Sequence, residues 1–160
     1  MSRPPPVRDA AGLLATWCGI GLAPWAPGTW GSLAALAMGA GIVFVGGPFA
    51  LAGATVAVLC LGLWASDRYA VRRGLDDPGA VVIDEVAGQW LAMLFVPPGW
   101  LEYALVFVAF RAFDITKVWP VSLAERRLPG AWGIMADDLV AGLYAGASVA
   151  AILWATGEVP

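Results

Sequence analysis

Two pairs of adjacent acidic residues, Asp84-Glu85 and Asp137-Asp138, stand at the edges of uncharged apolar runs. One acidic side chain is enough to stabilise a helix N-terminus, whereas two adjacent ones point about 100° apart on a helix and can serve two partners. Together with Asp114 they supply five carboxylates, and oxygen ligands of this kind suit Mg²⁺. We predict that both pairs bind Mg²⁺. Stabilisation of two helix ends is the alternative interpretation.

Basic residues accompany these acids in a second pattern. Arg111, Asp114 and Lys117 are spaced i, i+3, i+6 and form one stripe along an otherwise apolar helix. The bland interpretation is a salt-bridged helix end whose long side chains reach towards water. Because ionisable residues in apolar segments are costly and usually functional, we predict that Arg111 and Lys117 bind a phosphate. Asp114 would orient them or bind the metal.

A glycine-rich element precedes the first long apolar stretch. Gly28, Thr29, Gly31 and Ser32 offer backbone N–H groups and two hydroxyls immediately before a helix, and helix N-termini bind anions well. We predict a loop that ends with Ser32 as the helix N-cap and contributes to phosphate binding. Glycine-rich loops are common, and this one lacks the Gly-Lys-Ser/Thr of a nucleotide-binding P-loop.

The composition excludes several kinds of chemistry. Histidine is absent, so no catalytic triad, Cys-His dyad or phosphohistidine mechanism is available. Cys18 and Cys60 have neither a CxxC nor a zinc-site spacing and are expected to be small buried hydrophobes. A net charge of −3 without a basic stripe gives no reason to expect nucleic acid as a partner.

The elements that must position these residues are apolar. Hydrophobic residues make up 60% of the 160 and charged residues only 13%, about half the charged fraction of a soluble domain. Uncharged runs cover 10–66, 86–101 and 139–157, and a membrane-spanning helix needs about 20 apolar residues. We predict one integral-membrane domain over 1–160, with 1–9 disordered and no signal peptide.

The fold class expected is all-α, a multi-pass bundle of about five apolar helices with an additional N-terminal interfacial helix in 10–22. The helices are predicted at 32–46, 49–66, about 84–96, 100–117 and about 137–155. Gly46-Gly47-Pro48 and Pro97-Pro98-Gly99 make two of the turns. The charged loops are predicted at 67–83 and 118–136.

The topology gathers the chemistry on one side of the membrane. Alternating spans place the N-terminus and both charged loops on the same side, together with all nine Lys and Arg residues. The positive-inside rule makes that side cytoplasmic. The acidic pairs, the 111–117 stripe and the glycine-rich element then meet at the cytoplasmic face. Arg126 and Arg127 either attract anionic lipid headgroups or lie in a solvated loop.

Four motifs in this order resemble the phosphatidylglycerophosphatase A family. They are Gly19-x-Gly21-x-x-Pro24-x-x-Pro27-Gly28-Thr29-x-Gly31-Ser32; Asp84-Glu85-x-x-Gly88; Arg111-x-x-Asp114-x-x-Lys117 followed by Trp119-Pro120; and Gly133-Ile134-Met135-x-Asp137-Asp138-x-x-Ala141-Gly142. The resemblance covers about residues 19–145.

The resemblance implies a Mg²⁺-dependent phosphatase of the bacterial inner membrane that converts phosphatidylglycerophosphate to phosphatidylglycerol. The family's acidic and basic motif residues carry over to Asp84, Glu85, Arg111, Asp114, Lys117, Asp137 and Asp138. We expect water activated by the metal to attack the phosphate, with Asp84 or Asp138 as general base; an aspartyl-phosphate intermediate stays open. The rival hypotheses are a transporter or channel component and a non-catalytic protein that binds anionic lipid. The sequence does not indicate the oligomeric state.

Overall fold

The computed structural model describes residues 9–117, 119 and 128–158, and these ranges contain helices and no strand. The α-helices are α1 (Ala10–Ala15), α2 (Pro27–Arg73), α3 (Ile83–Met93), α4 (Trp100–Thr116) and α5 (Ala131–Thr156). A short 3₁₀ turn, Ile20–Leu22, lies between α1 and α2. The prediction of an all-α fold is confirmed.

Helix α2 reverses direction at Gly47, within the turn predicted at Gly46–Pro48. Gly47 has φ 72° and ψ −176°, which interrupts the helical backbone. Gly28 lies against Glu85 and Gly62 lies near Ile83, although 34 residues of straight helix would separate the two glycines by about 50 Å. The halves of α2 before and after Gly47 therefore run antiparallel, and both contact the first turn of α3.

Two described helices, Pro27–Arg73 and Ala131–Thr156, are long and apolar enough to cross a membrane. The side chains of Phe44 and Phe49 are about 90% exposed, as expected of a surface in contact with lipid rather than water. The predicted count of about five spanning helices is not confirmed. Helix α3 has 11 residues and is about 17 Å long, roughly half the hydrocarbon thickness.

The predicted start of the first long helix is wrong. Helix α2 begins at Pro27, five residues before Ser32, and so includes the glycine-rich element from Gly28 to Ser32. Proline is favoured in the first turn because its missing N–H would have no helical partner there. Ser32 is not an N-cap: it is fully buried, and its hydroxyl donates to the Gly28 carbonyl at 2.7 Å.

Three further predicted boundaries differ from the structure. Helix α2 continues to Arg73, so the charged loop begins at Gly74 and not at residue 67. Helix α5 begins at Ala131, six residues before Asp137, and α3 ends at Met93 rather than near Val96. Charge was read as a sign of loop at 67–73, but Arg72 and Arg73 suit the last turn of a helix, where cations stabilise the carbonyl end.

The N-terminal segment packs onto the bundle. Asp9 caps α1 by accepting from Gly12 N at 2.8 Å and forms an ion pair with Arg72, so it does not belong to a disordered tail. The Val82 amide donates to the Ala15 carbonyl at 2.8 Å, and the rings of Trp17 and Trp90 meet edge to face at 5.9 Å. The predicted interfacial helix is thus α1, whose inner face is buried. Residues 1–8 lie outside the described ranges.

Helices α3 and α5 approach each other through glycines. A Cβ added to Gly142 would overlap the Gly88 carbonyl oxygen, and one added to Gly88 would lie 2.5 Å from the Asp138 carbonyl oxygen. Only residues without a side chain allow two helix backbones to come this close. The contact brings the first turn of α3 beside the second turn of α5.

Candidate active site

Three of the predicted acidic residues form one group. Asp84 and Glu85 lie in the first turn of α3, and Asp138 is the eighth residue of α5. Each offers a carboxylate oxygen within 4.8 Å of the others, and the group can hold a metal ion. Asp138 is only 3% exposed. Burial of three neighbouring carboxylates is unfavourable without a positive partner.

The helix-end interpretation can be examined for each acidic pair. Asp137 and Asp138 follow six residues of helix, beyond the first turn in which the dipole acts, so stabilisation of the N-terminus does not account for them. Asp84 and Glu85 do stand in a first turn, where Asp84 accepts from the Glu85 amide at 3.0 Å. That interpretation therefore survives only for the pair on α3.

Asp84 and Glu85 lie outside the two candidate spans, and burial raises the pKa of both carboxyls. The pKa of Glu85 rises to about 8, mainly by loss of solvent; Asp138 and Asp114 add to the rise, while a hydrogen bond with Asp84 and the charge of Arg111 oppose it. For Asp84, the neighbouring Glu85 charge adds to the effect of burial. A bound cation would displace protons from such a group.

Arg111 is the cation nearest the acidic group. Its Nη1 lies 2.5 Å from Asp114 Oδ2, 4.0 Å from Glu85 Oε1 and 3.4 Å from Ser32 Oγ. The side chain is 14% exposed, so its charge acts at short range in a largely dry setting. Asp114 and Ser32 hold one edge of the guanidinium, which is therefore oriented before any ligand arrives.

Lys117 and Asp137 form a separate pair. Lys117 Nζ lies 2.9 Å from Asp137 Oδ2, and Lys117 ends α4 in a left-handed conformation with φ 44°. Asp137 was predicted to be a metal ligand together with Asp84, Glu85 and Asp138. In the structure it is bound to the lysine and stands outside the group of three carboxylates.

The glycine-rich element lies beside the same site, as the first turns of α2. Gly28 packs against the Glu85 carboxylate and Gly31 against Val82, and neither position has room for a Cβ. The amide of Thr29 donates to the Ala26 carbonyl at 3.0 Å, so it is not free for an anion. Ser32 reaches Arg111 rather than the surface.

A polar cavity of about 220 Å³ opens onto the acidic group. Asp84 of the three-carboxylate group and Asp137 of the pair with Lys117 both line it. The cavity therefore joins the acidic group to the Lys117–Asp137 pair. Asp76 and Asp77 also line this cavity, whereas the sequence predicted them only as part of a charged loop. Their signal is a third adjacent acidic pair, eight residues before Asp84-Glu85.

A second cavity, of about 650 Å³, is apolar and lies on the other side of the first turn of α2. Trp25 and Trp30 form part of its wall, with Ile20, Leu22 and Pro24. Its lining suits an alkyl group and not a charged one. Arg126 and Arg127, predicted to bind anionic lipid or to lie in a solvated loop, are outside the described residues.

Comparison with known proteins gives three relatives. The chain is 38% identical over 133 residues to phosphatidylglycerophosphatase A of Escherichia coli, covering 82% of this chain and 76% of that protein. It is 35% identical over 134 residues to the Haemophilus influenzae protein of the same name, covering 83% of this chain and 82% of that protein. A Bacteroides thetaiotaomicron protein with the provisional name phosphatidylinositol-3-phosphatase is 36% identical over 152 residues, covering 91% and 94%.

No solved structure matches the chain. The model of one family, phosphatidylglycerophosphatase A, matches residues 13–153. The match includes all four sequence motifs and every residue of the site described above. It agrees with the two relatives of that name, and the resemblance predicted from the motifs is confirmed: the chain belongs to the phosphatidylglycerophosphatase A family.

Proposed function

We propose that this chain hydrolyses the terminal phosphomonoester of phosphatidylglycerophosphate, releasing phosphatidylglycerol and inorganic phosphate. Membership of the family makes it a lipid phosphatase, a phosphoric monoester hydrolase. The observation that carries the mechanism is the group of Asp84, Glu85 and Asp138 beside the largely buried Arg111. Carboxylates next to an oriented guanidinium suit a reaction in which a cation and an arginine share a phosphate.

The donor set fits a divalent metal. Three carboxylates supply hard oxygen ligands, and Glu85 Oε2 is buried without a hydrogen-bond partner among the described residues. Mg²⁺ takes such ligands and keeps water or substrate phosphate in its other positions. We propose that Asp84, Glu85 and Asp138 hold Mg²⁺, which when bound would neutralise phosphate charge and make water a better nucleophile.

The chain's own cations would bind the phosphoryl group. Arg111 is held by Asp114 and Ser32 through Nη1, which leaves Nη2 for the phosphate oxygens. Lys117 is held by Asp137 at the other side of the polar cavity. Asp137 is thus assigned to positioning the lysine, in place of the metal binding that the sequence predicts for it.

Asp84 is the best-placed general base. It is the member of the three-carboxylate group that lines the polar cavity, whereas Asp138 is nearly inaccessible. The Asp84 oxygen that is not needed by the metal would take a proton from the attacking water. At the same time the oxygen of that water bonds to phosphorus, and the bond from phosphorus to the glycerol oxygen breaks. The proton taken up by Asp84 is then passed through solvent in the cavity to the leaving glycerol oxygen, which completes the alcohol and restores the carboxylate.

The apolar cavity supports a lipid substrate over a soluble phosphate ester. One face of the first turn of α2 carries Gly28 and Ser32 towards the acidic group, and the opposite face carries Trp30 towards the apolar cavity. A helix is about 10 Å across, comparable to the distance between a terminal phosphate and the acyl region of a phospholipid. A molecule with both parts can occupy both cavities.

Phosphate release from a panel of substrates tests this function. The purified chain in detergent is expected to release phosphate from phosphatidylglycerophosphate with Mg²⁺, to lose that activity after chelation, and to act poorly on soluble glycerol phosphate. Phosphatidylinositol 3-phosphate belongs in the panel because the Bacteroides relative is named for that substrate. Faster release from the inositol lipid would make it the substrate. Unchanged activity after chelation would contradict the metal, and no release from any lipid would favour a transporter or a non-catalytic lipid-binding protein.

We further propose that the chain lies in the bacterial inner membrane with the site on the cytoplasmic side. Arg68, Arg72 and Arg73 lie in the last two turns of α2, and Asp76 in the loop that follows lines the polar cavity together with Asp84. Basic residues on this side of the bundle agree with the positive-inside rule. A cysteine at Arg72, in a background without Cys18 and Cys60, is expected to react with an impermeant reagent only from the cytoplasm. One at Gly47 should react only from the other side. Labelling of both from one side would contradict this topology.

A further inference from the structure

Several buried polar atoms around the acidic group have unused hydrogen-bonding capacity. Glu85 Oε2, Arg111 Nε and both amide atoms of Gln89 are fully buried and have no hydrogen-bond partner among the described residues. Gln89 itself has no exposed surface. Buried polar groups almost always find partners, because leaving them unpaired is destabilising. An unpaired amide inside an otherwise apolar stretch of α3 therefore calls for an explanation.

The position of Gln89 supplies one. It follows Glu85 by four residues on α3, and side chains with that spacing are neighbours on the same helix face. The Glu85 carboxylate also faces Arg111, with 4.0 Å between Oε1 and Nη1. Gln89 is thus one turn deeper in the bundle than the pair formed by the carboxylate and the guanidinium.

Their chemistry is complementary. A glutamine amide donates through its nitrogen and accepts through its oxygen, a carboxylate oxygen accepts, and the Nε–H of arginine donates. We infer that Gln89 is a positioning residue that donates to Glu85 and accepts from Arg111 through buried water. It thereby fixes the carboxylate relative to the guanidinium, one holding the metal and the other the phosphate under the proposed function, on which this inference rests.

Direct metal binding tests the inference. Gln89→Met keeps the length of the side chain and removes both hydrogen-bonding atoms. Loss of a group that orients a metal ligand typically weakens metal affinity or activity by 10–100-fold. We expect Mn²⁺ affinity, measured by electron paramagnetic resonance on the full chain in detergent, to fall by about 10–100-fold. A parallel loss of kcat is expected. Gln89→Leu is expected to behave alike and serves if Gln89→Met does not fold.

Thr55→Val is the matched control. Thr55 is a buried polar residue whose hydroxyl donates at 2.8 Å to Leu51 O within its own helix, away from the acidic group. This variant should bind Mn²⁺ as the wild type does. Wild-type Mn²⁺ affinity in both Gln89 variants, even with a lower melting temperature, would overturn the inference while leaving the proposed function intact. Failure of the wild-type chain to bind Mn²⁺ would overturn the proposed metal site and the inference with it.

Discussion

Asp138→Asn should reduce phosphate release from phosphatidylglycerophosphate by about 10²-fold or more, the loss typical of a group that stabilises charge in a transition state. Asparagine has nearly the same size and forms similar hydrogen bonds, so the bundle should still fold. What it lacks is the negative charge that a divalent cation requires. Asp84→Asn and Glu85→Gln should have the same effect, because the three carboxylates form one group. The measurement is kcat at saturating lipid, with circular dichroism to verify helix content.

The control for this series is Glu102→Gln. Glu102 lies in the first turn of α4, against its own N-cap Gly99 and away from the acidic group, so its neutralisation should leave kcat unchanged. Asp137→Asn should differ from the variants of Asp84, Glu85 and Asp138, because it weakens the hold on Lys117 and leaves the metal ligands unchanged. It is expected to raise KM more than it lowers kcat. Near-normal activity in all three variants of the group would show that the acids only support the fold.

Gly142→Ala should impair both stability and catalysis. The added methyl group would overlap the Gly88 carbonyl oxygen, so α3 and α5 must move apart. Overpacking of this kind costs about 1–3 kcal/mol. Because Asp84 and Glu85 sit on one of these helices and Asp138 on the other, the same movement separates the carboxylates, and a displacement of about 1 Å can lower a rate by about 10²-fold. Thermal unfolding and kcat measure the two effects.

Gly41→Ala provides a matched control. A Cβ at Gly41 would meet nothing within 4 Å, although this glycine also lies inside a helix. The substitution should leave activity unchanged and stabilise the helix slightly, by about 0.5–1 kcal/mol. Equal behaviour of the two alanine variants would mean that the closeness of α3 and α5 does not determine the site.

The sequence was informative where a signal is local. Adjacent acids and the regular spacing of Arg111, Asp114 and Lys117 stand out against apolar surroundings. The reversal of α2 at Gly47 is likewise predicted by the Gly-Gly-Pro sequence. The start of α2 was missed because glycine and proline were read only as helix breakers. Here Pro27 occupies a first turn, and Gly28 and Gly31 are required by neighbours from α3 and the segment before it.

Other features depend on contacts between distant segments. Nothing near Asp137 in the chain indicates that Lys117, 20 residues earlier, would engage it and leave Asp138 to join Asp84 and Glu85. The meeting of Gly88 with Gly142 depends on how α3 and α5 pack. In the sequence Gln89 is a single polar residue among apolar ones, and only the packing of the helices shows that it is fully buried, one turn from Glu85.

The reversal at Gly47 also bears on how the chain is assembled into a bilayer. Residues 27–46 form about 30 Å of helix, which matches the hydrocarbon core, and no charged residue occurs between Pro27 and Ser66. Both halves can therefore partition together as a helical hairpin, with no polar loop to translocate. A lysine or aspartate introduced at Gly47 would have to cross the lipid during insertion. The substitution would reduce the amount of protein that inserts into the membrane. Molecules that did insert would keep their kcat and KM.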